Sequence, residues 1–445
     1  MKTKLNVGFV TTVSGRWPRE LPRERRTKYE KWLKENTEYN VLSFETIIDD
    51  KTSLEKAVDY LKREQADIVV MLYGAFSGDD FATGLAENLN APIVLWALPE
   101  PNLNGGRLLA NSLVAATMNS ASLKRLGATS YVVFGDENDE RAVKELKQIL
   151  SSYSVKKALS KVMFGLFGYR PTAFYNSAFD EGLIRRTFGI KMEETDLKVL
   201  FDKMATYSDA QVADEIAKIK IKISSTLPEG HLENHARLAM AMREAIDECG
   251  YDYSALKCWP EMGNLHTTPC AVIGRLADEG RHIVCEGDID AGIAYVVENV
   301  LTGLPCFITD LINIDETLNA VTVWHCGNAA PSLISEKCVP EIANHPLAGQ
   351  GTAIRCTLKS GKVTFARFCN IGGTYKLFIV RGEALETKMY TPGAMVNIKV
   401  KKPVRELVYE IIEKGIPHHY SVVWEDVADE MIAYAKLIGL EVIEM

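Results

Sequence analysis

Five short, almost unbroken apolar runs open the chain: LNVGFVTTV, YNVLSFE, DIVVMLYG, APIVLWALP and TSYVVFGD, all within the first 135 or so residues. Between them lie helix-patterned stretches such as RERRTKYEKWLKENT and TSLEKAVDYLKREQA. A strand with one wet face alternates polar and apolar residues. A strand that is apolar on both faces must be covered on both, and helical crossovers supply the cover and make the strands parallel. The pattern predicts a doubly wound α/β domain over residues 1–164, with Thr52 or Ser53 capping the helix of TSLEKAVDYLKREQA.

The alternation continues less regularly over residues 165–325. FDKMATYSDAQVADEIAKIKIKI and HLENHARLAMAMREAIDECG have helical period, HIVCEGDID brings a strand into an acidic loop, and LPCFITDLINIDETLNAVTVWHCG reads as strand, turn, strand. This is a second α/β domain carrying most of the acidic candidates. Residues 326–445 change character. GTAIRCTLKSGKVTFARFCNIGGTYKLFIVRGEAL shows short strands broken at SGK, IGG and RGE, the spacing of antiparallel β-structure, before a final helix and strand.

Composition narrows the function. The chain has 445 residues, 47% of them hydrophobic, enough for sizeable cores, and a formal charge of −8 gives no overall attraction to phosphate backbones, so nucleic acid is not an expected partner. No window approaches the ~20 apolar residues of a membrane helix. The N-terminus lacks the pattern of a signal peptide, so a cytoplasmic location is expected. The nine cysteines form no C-x-x-C pair and are expected to be reduced, buried small hydrophobes.

Common catalytic signatures are absent. No G-x-G-x-x-G follows the first strand, SGKV lacks the rest of a P-loop, and there is no G-x-S-x-G. HLENH places His231 and His235 four apart on a helix, but Leu232 stands where a zinc protease has its glutamate, so a solvated polar face is expected there. Three clusters remain. Glu261 lies in KCWPEM; Glu286, Asp288 and Asp290 crowd the end of the strand in VCEGDID; His418 and His419 precede an apolar run in IPHHYSVVW. Carboxylates with an imidazole are the ligand set of a hard divalent cation. Such sites form on loops at the carboxyl ends of parallel strands, where Asp288 is expected.

TTVSGRWPRE, IVLWALPEPNLNGG, KCWPEM, VCEGDIDAGIAYVVENVLTG, VWHCGNAAPSL and IPHHY, in this order, resemble the L-fucose isomerase and L-arabinose isomerase superfamily. The resemblance runs from Val7 to about Val422. It implies two Rossmann-like domains followed by a β-rich, barrel-like domain. It also implies aldose–ketose isomerisation with Mn²⁺ or another divalent ion such as Co²⁺ or Mg²⁺, and a trimer or hexamer with active sites at subunit boundaries. Carried over residue by residue, it makes Glu261 a metal ligand and proton shuttle, Asp288 the second acidic ligand and His419 the histidine ligand, and Glu261 and Asp288 are then expected to exchange roles as base and acid. His325 resembles a further ligand of the arabinose-type site. Trp96 and Arg16 resemble residues that reach a neighbour's sugar pocket, and His418 is a substrate-binding candidate. The dense basic stretch Arg16–Arg26 suits either a solvated helix start or an anionic substituent on the sugar. A metal-dependent sugar lyase or aldolase, and an intracellular sugar-binding protein, are the rival readings.

Overall fold

The computed structural model describes residues 4–225, 227 and 229–445. The chain divides into two compact units, meeting in sequence at Lys157 and Ala158.

The first unit holds the five expected strands: β1 (Asn6–Thr12), β2 (Asn40–Ser43), β3 (Ile68–Tyr73), β4 (Ile93–Ala97) and β5 (Ser130–Phe134). They form one parallel sheet in the order β2-β1-β3-β4-β5, the doubly wound arrangement that the apolar runs require. Every residue of β3 and β4 is buried. Helix Lys51–Arg63 is capped earlier than expected. Asp50 is the cap, and Ser53 completes a capping box by accepting from the Asp50 N–H.

The second unit begins with another parallel sheet, β10-β9-β6-β7, of β6 (Met163–Phe167), β7 (Lys191–Thr195), β9 (Tyr253–Leu256) and β10 (His282–Cys285). The short β8 (Ser224–Ser225) belongs instead to the third sheet. That sheet also contains β11 (Phe307–Asp315), β12 (Ala320–His325), β13 (Glu341–Ala343), β14 (Ala353–Thr357), β15 (Gly361–Ile371), β16 (Thr374–Ala384), β17 (Ala394–Val400), β18 (His419–Val423) and β19 (Glu441–Glu444). Its order is β19-β16-β15-β18-β11-β12-β17-β14-β13-β8, and β16 also pairs with β17. The strands β16-β15-β18-β11-β12-β17 therefore close on themselves as an antiparallel barrel, filled by residues such as Phe365, Phe378, Val396 and Val422.

RGE is not a turn. Arg381, Gly382 and Glu383 lie inside β16, where the strand pairs with β15 on one side and β17 on the other. A Cβ on Gly382 would stand 2.4 Å from the Ile398 side chain, so the glycine serves close approach at the barrel seam. Among the described residues no helix is long and apolar enough to cross a membrane. All nine cysteines are free thiols, seven of them buried.

Candidate metal centre

Two groups of side chains arrive together in the second unit. The carboxyl ends of β9 and β10 carry Lys257–Glu261 and Glu286–Asp288, while the barrel brings Asp310 on β11, His325 at the end of β12 and His419 at the start of β18. Asp310 and His419 sit opposite one another in the β11–β18 ladder. Glu286, His418 and His419 each offer a ligand atom within 4.8 Å of the others, and so do Asp310, His325 and His419.

The turn after β10 sets one carboxylate at the cavity wall and the other in the interior. Glu286 and Gly287 are both left-handed, with φ of 58° and 62°. A Cβ on Gly287 would lie 2.1 Å from the Tyr169 carbonyl oxygen, so only glycine fits between the two acids. A non-glycine residue at positive φ is the kind of local cost that persists where the fold needs a side chain in one place. Asp288 then caps helix Ile289–Thr302.

Asp288 is wholly buried and its acceptors are full. Oδ1 accepts from Arg367 Nη2 at 2.9 Å and from the Ala291 N–H at 3.1 Å. Oδ2 accepts from Arg367 Nη1 and from His419 Nδ1, each at 2.9 Å. A carboxylate has about four lone-pair sites, so none is left for a cation. Burial works against its charge, but Arg367 and His419 outweigh that and hold the carboxyl well below its ordinary range. Glu286 behaves similarly against burial, held low by His418 and His419, yet its Oε2 stands 3.2 Å from His419 Nε2 without the alignment of a hydrogen bond. In this geometry the acid facing His418 and His419 is Glu286, and the expected ligand Asp288 orients His419.

The two central imidazoles differ in tautomer. His419 must donate from Nδ1, because its partner there is a carboxylate, and this turns Nε2, which carries a proton in the metal-free ring and would give it up to bind a cation, toward Glu286 and toward Asp310 Oδ1 at 3.7 Å. Burial lowers the basicity of His419, but Asp288, Glu286 and Asp310 raise it to about 10. At His325 the Nδ1 accepts from the Cys326 N–H at 2.9 Å, so the proton of the neutral ring sits on Nε2. His325 is therefore a donor beside the cluster. Asp310 Oδ1, His325 Nε2, His419 Nε2 and Glu261 Oε2 are all buried without a hydrogen-bond partner. Such atoms are rare in a finished interior and ask for a ligand. Ligands held at ~2.1 Å and at right angles lie about 3 Å apart, near the separations around His419 Nε2. Glu286 groups there with His418 and His419, and Asp310 with His325 and His419; since His325 Nε2 carries a proton, Glu286, His418 and His419 are the set that fits a divalent cation.

A cavity of about 400 Å³ opens beside them, lined by Glu286, His325, Trp259, His345 and Gln350 among others. Glu261 follows Trp259 and Pro260 on the same turn; Lys257 pairs with its Oε1, leaving Oε2 bare. His418 is half exposed at the rim, its Nδ1 2.7 Å from Asn176 Nδ2 and its ring against His419.

The remaining candidates lie in the first unit. Trp96 is a core residue. It is 1% exposed, Nε1 donates to the Gly135 carbonyl at 3.0 Å, and Tyr29 and Trp32 meet it edge-on, so it offers no face to a sugar. Arg16 is exposed at the end of β1, in a separate cavity shared with Trp17, Asp49 and Asn111. Within Arg16–Arg26, Arg19 pairs with Asp49, Arg26 with Glu30, and Arg25 binds the carbonyls of Gly74 and Pro99. Nor is HLENH a solvated face: His235 is wholly buried, with hydrogen bonds to Thr352 and Arg275.

Sequence pattern alone does not single out Asp310 or Arg367. A signal for Arg367 exists, a lone charge in VTFARFC, where each of Val363 to Cys369 proves buried. Asp310 follows FIT in a strand that also carries Asn313 and Asp315, so no comparable contrast marks it.

The profile of the L-fucose isomerase C-terminal domain matches residues 323–445. Over nearly its whole length the chain is similar to a sulfoquinovose isomerase of Priestia aryabhattai, 26% identical across 94% of each protein. A sulfoquinovose isomerase of Alkalicoccus urumqiensis is 29% identical over 85% of this chain and 86% of that one. An L-arabinose isomerase of Oceanobacillus iheyensis matches at 26% over 59% of this chain and 54% of its own. Two parallel sheets and a closed C-terminal barrel accompany these likenesses, which all run to the fucose/arabinose isomerase-like superfamily.

Proposed function

We propose that this chain is an aldose–ketose isomerase that acts on a monosaccharide with the help of a divalent cation, held by Glu286, His418 and His419. The observation that carries the reading is the set of buried, unpartnered acceptor and donor atoms of Asp310, His325 and His419 beside a sugar-sized cavity. Full-length likeness to sulfoquinovose isomerases directs it to an aldose with an anionic substituent, sulfoquinovose above all. Mn²⁺ suits a mixed set of carboxylate and imidazole ligands with open positions for sugar oxygens.

Isomerisation moves a proton between C2 and C1 while the carbonyl moves the other way. A bound cation would polarise the two sugar oxygens as a Lewis acid. Glu261, with Lys257 fixing one oxygen and the other bare, takes the C2 proton to leave an ene-diolate and returns it to C1, while the O2 hydroxyl proton passes to O1. Glu286, which lines the cavity, is the second acid–base candidate. His325 Nε2–H donates to a sugar oxygen, and Asp288 with Arg367 keeps His419 in its ligating tautomer. Arg16, exposed and cationic, is the residue that meets the anionic group from a neighbouring copy, in a cytoplasmic trimer or hexamer.

The test is a panel of sulfoquinovose, L-fucose and L-arabinose, each with Mn²⁺, Co²⁺ or Mg²⁺ and after chelation. Ketose formed only with metal is expected. Cleavage products would make the protein a lyase, and binding without turnover would make it a sugar-binding protein.

A further inference from the structure

The HLENH histidines lie on helix Glu229–Cys249 and reach the two ends of one loop. Strands β13 and β14 pair as a hairpin, Ala343 opposite Ala353, and residues 344–352 connect them. At the start of the connection His231 Nδ1 donates to Asn344 Oδ1 at 3.2 Å. At its end His235 Nδ1 lies 2.7 Å from Thr352 Oγ1.

The second contact has a fixed polarity. Arg275 Nη1 can only donate, and it donates to His235 Nε2 at 2.9 Å, so the ring proton is on Nδ1 and points at Thr352. Burial, and then Arg275, hold His235 down to about pKa 3, keeping it neutral. Glu215 anchors Arg275 from behind at 3.0 Å. Thr352 is further tied by a reciprocal pair: its N–H donates to Thr268 Oγ1 and its carbonyl accepts from the same hydroxyl, each at 2.9 Å.

What lies between the two fixed ends is cavity wall. His345, Leu347, Ala348 and Gln350 all line the cavity beside Glu286 and His325. The loop keeps its own form through His345 Nδ1, which accepts from the Leu347 and Ala348 N–H groups at 3.2 and 3.1 Å. Gln350 bridges to the opposite wall, donating to the Gly263 carbonyl at 3.0 Å and accepting from His266 at 3.2 Å.

We propose that the loop 344–352 is the wall that selects the sugar, and that His231 and His235 are its positioning residues, holding it at both ends from one helix face. The selecting role rests on the isomerase reading above; the clamp itself does not. Two variants divide the functions of His235. His235→Asn keeps a donor near the Nδ1 position and the bond to Thr352, whereas His235→Gln keeps an acceptor for Arg275 and loses that bond.

Hydrogen–deuterium exchange of residues 344–352, Mn²⁺ binding, and kcat and KM for the sugar that turns over are measured on wild type, H231A, H235Q and H235N. In H231A and H235Q the loop amides exchange faster and Mn²⁺ affinity is unchanged. KM rises about five- to tenfold, the weight of one neutral hydrogen bond, with kcat held. H235N restores both exchange and KM. Unchanged exchange in H235Q would refute the clamp. Faster exchange with an unchanged KM, or kcat falling alike in H235Q and H235N, would refute the selecting role. Absence of turnover in wild type would remove the isomerase reading and the selecting role with it, while the exchange data still decide the clamp.

Discussion

Asp288→Asn and Glu286→Gln are neighbouring neutralisations of opposite expected effect. The amide of Asp288→Asn would keep the helix cap to Ala291, but it would leave Arg367, 0% exposed, facing a neutral group in place of a bidentate carboxylate. Removing one partner of a buried ion pair costs about 3–5 kcal/mol, because the surviving charge is left unpaired. The same substitution weakens the hydrogen bond that sets His419, and loss of such an orienting partner weakens metal affinity roughly 10–100-fold. Glu286 has no such pair: its nearest cation candidates are His419 at 3.2 Å and His418 at 3.9 Å. Its neutralisation should cost at most about 2 kcal/mol of metal-free stability. It should reduce Mn²⁺ affinity by more than the Asp288 variant does, since it removes a ligand and not its support. Urea unfolding of the metal-free proteins, followed by Mn²⁺ titration of the folded variants, reads both quantities. A D288N protein of native stability that binds Mn²⁺ worse than E286Q would refute the argument and return the ligand role to Asp288.

His419→Ala should lose Mn²⁺ and His325→Ala should retain it with a raised KM, measured as metal content and steady-state kinetics; equal metal loss in both would make His325 a ligand despite its tautomer. Glu298 is wholly buried, its Oε2 bonded to Ser421 and its Oε1 unpartnered. Burial lifts its carboxyl from 4.5 to about 8, so between those values the folded state holds the extra proton and stability falls as pH rises. The loss is on the order of 5 kcal/mol across that window. Glu298→Gln should flatten the slope in urea unfolding at pH 5 and 8.5, and an unchanged slope would assign it to other groups. Trp96→Phe should destabilise the first unit by about 1–3 kcal/mol through loss of the Gly135 hydrogen bond and of packing. KM should not move; a large KM increase without destabilisation would put Trp96 back at a sugar pocket.

Local pattern carries most of the fold because the central strands of the first sheet announce their own burial: β3 and β4 are apolar and buried at every position, whereas the edge strands β2 and β5 are only partly covered. The barrel seam is less legible. Gly382 looks like a turn when read beside Arg381 and Glu383, and its reason, the Ile398 side chain on another strand, is distant in sequence. The site follows the same division. That acids end β10 and histidines begin β18 is visible in VCEGDID and IPHHY, since both clusters sit at strand ends where side chains converge on a cleft. Which acid is free is decided elsewhere. Glu286 and Asp288 are two residues apart and chemically alike, and they are told apart by Arg367, a guanidinium arriving from β15, and by a left-handed turn that Gly287 permits under the Tyr169 carbonyl. The same holds for the imidazoles: His325 and His419 each end or begin a barrel strand, and their roles separate only through what holds Nδ1, a backbone N–H in one and Asp288 in the other. In this site the residue types that bind are local features of the chain, whereas their protonation and free lone pairs are properties of long-range partners.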